Sequence, residues 1–333
     1  MKSVFSFTAV GVVLALLHAA PANALNAKSF VSGTGSDANT CATVVTACAT
    51  FAVALTKTAA NGEISVVDTG NYGPLVIDRA INITNDGGGE AGVVPTPGGF
   101  AIVVNAGRGD IVSLRGLVID GQAVGLSGLV LDSAAAVHVQ HCVIRNFESA
   151  AGLNPWGIIL ASFENLQLFV SDTIIFNNGS TASSGGILII PGGFPALPTP
   201  PIIANVVLDR VHLENNVRGL WVSGSLNIGN SPRVVIRDSV VSNNIGDGIL
   251  ATSAPGMAAA FIVVEHTSSV HNAGTGIRAD GPRATIVLND DTITGNGAGI
   301  GAVNGGQIIS FGNNKNFNNI GLEGAPTGMF NPM

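Results

Sequence analysis

Leu208-Asp209-Arg210-Val211-His212-Leu213-Glu214-Asn215-Asn216 returns 28 residues later as Ile236-Arg237-Asp238-Ser239-Val240-Val241-Ser242-Asn243-Asn244. Both segments place apolar residues at alternate positions and close on an Asn pair. Alternation at period two marks strands with one buried face. Aligned on the final residue, the pattern recurs as the column Gln122, Phe147, Asn178, Asn216, Asn244, Asn272, Asn296, Asn319. Eight residues earlier every repeat is apolar: Leu114, Val139, Val170, Leu208, Ile236, Val264, Leu288, Phe311. A second signal, a Gly leading a short apolar strand, begins at Gly128, Gly157, Gly186, Gly219, Gly248, Gly276, Gly299 and Gly321, in steps of 29, 29, 33, 29, 28, 23 and 22 residues. A unit of that size without helical spacing cannot bury its own apolar face, whereas stacking such units at ~4.8 Å per rung does. The apolar column then becomes an interior aliphatic stack. The Asn column becomes a ladder of amides bonded from rung to rung.

Composition agrees. Of 333 residues 46% are hydrophobic and 11% charged, so the chain carries enough apolar surface to order itself and is not a disordered polar segment. Fourteen Lys and Arg against 21 Asp and Glu leave a net charge of −7, which excludes a basic nucleic-acid binder. The 44 glycines follow no three-residue period, which excludes collagen.

The amino terminus reads as an address. Met1-Lys2-Ser3, the apolar run Val10 to Leu17, and Pro21-Ala22-Asn23-Ala24 fit a signal peptide over residues 1–24, too short in its apolar region to span a bilayer. The alternative is an uncleaved anchor. Cleavage after Ala24 predicts a secreted or periplasmic protein with no membrane span. In an oxidising compartment Cys41 and Cys48 are expected to form a disulfide, with Cys142 left as a buried core residue.

These repeats resemble the right-handed parallel β-helix repeat family of the pectate-lyase-like superfamily, in its exported bacterial form, over roughly residues 28–325. The opening, Phe30-Val31-Ser32-Gly33-Thr34-Gly35-Ser36-Asp37 and then a helical segment near Ala49–Leu55, is also similar. The expected fold is therefore all-β: a single-stranded right-handed parallel β-helix (solenoid) with a short amino-terminal capping helix. Residues 25–333 form one domain, divided into a cap (25–62), coils (63–325) and a tail (326–333). The resemblance implies that the helix shields the amino-terminal end, which would otherwise expose sheet edges and core.

Chemistry is harder to find. The superfamily's lyases use acidic clusters that hold calcium together with a basic Arg or Lys, and glycoside hydrolysis needs two facing carboxylates. The column six residues before the final Asn contains His141, Asp172, Arg210, Asp238 and His266, a ladder of alternating sign that suits a general acid or base, but the position between two strands favours a turn over an active site. A further outward row, with Asp120, Arg145 and Glu214, sets no two carboxylates on adjacent rungs. Neither the Asp-Asp and Gly-His-Gly motifs of polygalacturonases nor the Asp-Pro-His of alginate epimerases is present, so the resemblance transfers no catalytic residue. The outward position of the Gly-led strand reads Val130, Ile159, Leu188, Trp221, Leu250, Arg278, Gly301, Glu323. Such an apolar stripe marks a contact surface. It can be covered by the Pro-rich loop 191–201, can join copies into an oligomer, or can bind a ligand. Trp221 and Trp156, with Arg278, are the ligand-contact candidates, since a sugar's C–H face stacks on aromatic rings. No cofactor and no Cys/His metal site are expected, with calcium reserved for a lyase. Two functions from different classes fit. The missing motifs favour a non-catalytic surface, structural or polysaccharide-binding module over the alternative, a pectate-lyase-like polysaccharide-degrading enzyme working in the groove of the solenoid.

Overall fold

The computed structural model describes residues 25–148, 153–192, 202–225 and 231–330. The expected signal peptide (1–24), residues 193–201 of the Pro-rich insertion and residues 331–333 of the tail lie outside the described residues. Among the described residues the strands form three parallel sheets of twelve, ten and nine members. Each turn of chain visits the nine-, twelve- and ten-stranded sheets in that order, as in Trp156–Leu160, Leu166–Ser171 and Ile174–Phe176. The fold is a right-handed parallel β-helix. No helix among the described residues is long and apolar enough to cross a membrane.

The repeat becomes register. Leu114, Val139, Val170, Leu208, Ile236, Val264 and Leu288 occupy one column of the twelve-stranded sheet, all fully buried. Phe311 departs from the expected stack: Ser310 pairs with Leu288, and Phe311 lies on the surface against Phe330. The last corner holds one residue more than the others, so counting back from Asn319 lands one residue late.

The Asn column is a buried chain of one-way hydrogen bonds. The backbone N–H groups of Asn178, Asn216, Asn244, Asn272 and Asn296 each donate to the Oδ1 of the next Asn at 2.9–3.1 Å. Their Nδ2 groups reach back to carbonyls such as Leu213 and Val241. Every backbone N–H of the column therefore points toward the carboxy-terminal end. At that end the Glu323 carboxylate accepts both the N–H and the Nδ2 of Asn319. Glu323 thus closes the ladder and does not occupy an eighth outward strand position, as the Gly repeat suggested. Gln122 and Phe147 are also corrections. Gln122 is exposed, and Phe147 is buried where the amide would be, its N–H donating to Asn178 Oδ1.

The two sequence signals are one structure. A Cβ on Gly219 would lie 2.4 Å from the Gly248 carbonyl and 3.2 Å from the Asn244 amide. Glycine leaves the space that the Asn side chain fills.

At the amino-terminal end, Asn26–Val31 already pairs with Thr58–Val66 as part of the twelve-stranded sheet. The helix Phe51–Lys57, capped by Thr50, buries Phe51, Ala54 and Leu55, with Phe51 against Tyr72. Cys41 and Cys48 are joined, with Cα atoms 5.0 Å apart, and Cys142 is a buried thiol.

Candidate functional site

The candidate acid–base column falls on the corner between the twelve- and ten-stranded sheets. His141, Asp172, Arg210, Asp238 and His266 all have φ between 48° and 52°, so each turns the chain through the left-handed region that Gly116 occupies one rung earlier. Their side chains neutralise one another along the surface. Arg210 donates to both oxygens of Asp172, at 2.7 and 3.0 Å, and also pairs with Asp209, which in turn pairs with Arg237 at 2.9 Å. The Arg210 hydrogen bond holds the Asp172 carboxyl below its ordinary range. His266 Nδ1 lies 2.6 Å from Asp238 Oδ1, which raises the imidazolium pKa. His141 is exposed on the same corner. The Asp120 carboxylate is likewise committed, to Arg145 at 2.7 Å and to the Gln122 N–H at 2.9 Å, and Glu214 bonds His212. Among the described residues no group of three or more His, Cys, Asp or Glu is placed to hold a metal ion.

The outward row of the nine-stranded sheet has the expected register from Val130 to Gly301. Val130, Leu188 and Leu250 are buried within the chain itself, so these three present no open contact surface. Trp156, Leu188 and Ile190 form a small apolar cluster outside the main core, with Ile159 and Trp221 packed on it. Beside that cluster lies a pocket of about 300 Å³, lined by the two indoles, Ile159, Leu188, Ile190, Asn154, Ser183, Ser223 and Ser225.

The tryptophan rings are 6.1 Å apart at 48°. Trp156 is buried at the start of its strand, and Trp221 stays partly open. Trp221 is locked in place: its Nε1–H donates to Thr252 Oγ1 at 2.9 Å, and Thr252 donates to Ser223 Oγ at 3.1 Å. The Arg218 guanidinium lies 4.9 Å from the Trp221 ring centroid, anchored through Nε to the Ala182 carbonyl at 2.7 Å. Burial lowers the Arg218 pKa, partly offset by Asp247. Arg278 does not line the pocket and is tied to Asp280 at 2.7 Å. The wall is thus apolar and aromatic, with hydroxyl and amide groups at its edge, the usual make-up of a small-molecule site.

The structure brings Trp156 and Trp221 together and leaves Arg278 and the five corner residues apart from them. The corner lies between the other two sheets, away from the nine-stranded face. Ser223 was legible in the sequence, two residues after Trp221 and so on the same face by alternation. Ile190 follows Leu188 in the same way, whereas Asn154 and Ser183 were not legible, because they come from loops whose paths the repeat does not fix.

A family model described as a right-handed β-helix region matches residues 127–316, more than half of the chain. The chain belongs to the right-handed β-helix family. No curated protein matches this β-helix. Among solved structures it is similar to full-length tailspike protein 2 from Escherichia coli O157:H7 bacteriophage CAB120, at 8% identity and a TM-score of 0.40. The match covers 85% of this chain and 42% of the tailspike chain.

Proposed function

We propose that this protein is an exported, non-catalytic β-helix module that binds a polysaccharide segment in the two-tryptophan pocket. The observation that carries this reading is the pairing of Trp156 and Trp221 in one apolar hollow rimmed by Asn and Ser side chains. An apolar wall suits the C–H face of a sugar, and the rim suits its hydroxyls. Among the described residues no carboxylate or basic group lines the pocket, which supports a binding role over the paired acids of glycoside hydrolysis or the base of a lyase. The charges that could serve the alternative, lyase-like activity are paired along the far corner.

Both tryptophans of the chain line this pocket, so indole emission reports its occupancy directly. Titration with neutral and uronate glycans, with and without calcium, is expected to shift the emission for at least one glycan. Trp221→Ala should weaken that binding by tenfold or more. Asp172→Gly and Arg210→Gly, at the corner, should leave it unchanged. Appearance of unsaturated sugar products, or no emission change with any glycan, would overturn the proposal.

A further inference from the structure

The twelve-stranded sheet carries an outward row that the pocket does not use. Phe169, Val207, Val235, Val263, Val287 and Ile309 follow one another in register over six rungs. All but Val287 remain partly open to solvent, and Phe261, in the neighbouring outward column, is 38% exposed. Beyond Phe169 the row turns polar, through His138 to Ser113 and Asn82. The apolar stretch is therefore bounded.

Its two flanks differ. One carries Asp209, Arg237 and Glu265 on successive rungs, and the other carries Arg233 beside Phe261. Arg237 is paired through Nε with Asp209, whereas Glu265 makes no ion pair among the described residues and bonds only the Asn289 amide, at 3.1 Å.

We infer that this face docks a second copy of the chain, with the two solenoids antiparallel. Two copies meeting face to face are related by a two-fold axis in the contact plane. With the axis along the solenoid, Arg237 of each copy would lie against Arg233 of the other. With the axis along the strands the rung order reverses. The apolar row then covers itself completely only when the axis passes between Val235 and Val263. Val235 faces Val263 of the second copy, Val207 faces Val287, and Phe169 faces Ile309. That same centre sets Arg237 against Glu265 on both sides and Arg233 against the Phe261 ring, a cation–π geometry. Apolar and charged patterns thus select one axis independently. Six rungs at ~4.8 Å and three outward columns ~7 Å apart give on the order of 500 Å² per copy. The total of about 1,000 Å² reaches the lower bound for a specific interface. The tryptophan pocket, on a different sheet, stays accessible in both copies.

Sedimentation of the full chain tests this. The wild type should have the mass of two copies in the micromolar range, and Val235→Asp that of one, with unchanged circular dichroism. Arg237→Glu should weaken association at least tenfold, and Arg237→Glu combined with Glu265→Arg should restore it, because each reversed charge again meets its opposite. A single-copy wild type, a three-copy assembly, a dimer indifferent to Val235→Asp, or a double reversal that fails to restore association would each overturn it. None of these outcomes depends on glycan binding.

Discussion

Asp291 shows at the residue scale how the solenoid treats charge. It follows the Asp290 corner in a buried column with Cys142, Thr173, Val211, Ser239 and Thr267, ending at the half-buried Asn314, in which side-chain oxygens accept N–H groups from the preceding rung. Its Oδ1 accepts the Thr267 N–H and its Oδ2 the Asn289 N–H, both at 3.0 Å, yet burial pushes the carboxyl up to about 7. The folded pKa lies above the unfolded one, so the folded state holds the proton longer. The cost is absent below about pH 4 and complete above about pH 7, and stability falls as pH rises between them. Asp291→Thr copies Thr267 and removes the charge. It should stabilise the fold by about 2 kcal/mol near pH 8 and by almost nothing near pH 4, read from denaturant midpoints at the two pH values. The sequence showed Asp291 only as one of two adjacent acids. Its burial follows from the left-handed turn at Asp290, which spacing alone does not reveal. The corner column illustrates the same limit: its period was legible, but a turn and an active site share that period.

At the scale of the element, the Asn ladder was readable and its direction was not. Identical amides recurring once per rung predict stacking, and only the backbone decides which way the donors point. Asn244 accepts the Asn216 N–H at 3.0 Å and donates to Asn272 Oδ1 at 2.8 Å and the Leu213 carbonyl at 3.0 Å, all buried. Asn244→Ala orphans these partners in the middle of the stack and should cost about 2–4 kcal/mol, measured by equilibrium unfolding. Asn319→Ala, half-buried at the end of the ladder, should cost less. The outward apolar row of the twelve-stranded sheet was also present in the sequence. Nine residues before the closing Asn stand Phe169, Val207, Val235, Val263 and Val287, but a conspicuous interior column beside them drew the alignment.

Across the whole molecule the two ends are unequal. The amino-terminal end is closed by the helix Phe51–Lys57 and the Cys41–Cys48 loop. At the other end Phe317 is 52% exposed, Ile320 85% and Leu322 82%. A rung with neighbours on one side only is held by fewer contacts. Hydrogen exchange should therefore show protection falling from the central rungs toward residues 298–330, with the amides of the strands Leu166–Ser171, Ala204–Asp209, Arg233–Arg237 and Ala260–Glu265 the slowest. Equal protection at both ends would show that the final rungs are held from outside the chain. The architecture was legible because one repeat states it many times over. The pocket was half legible, since its indoles lie on or beside the repeat while the loops that complete it do not recur.

The one-way amide ladder also makes the solenoid extensible, but only from within. Every internal junction joins an Asn donor to an Asn acceptor, so a second copy of residues 217–244 inserted in tandem would meet the same partners above and below. The coil would lengthen by one rung, ~4.8 Å, with no new chemistry. Copying residues 297–323 would instead bury the Glu323 carboxylate between two rungs, where nothing compensates its charge. Glu323 therefore acts as punctuation, and the amide ladder ends where that residue falls.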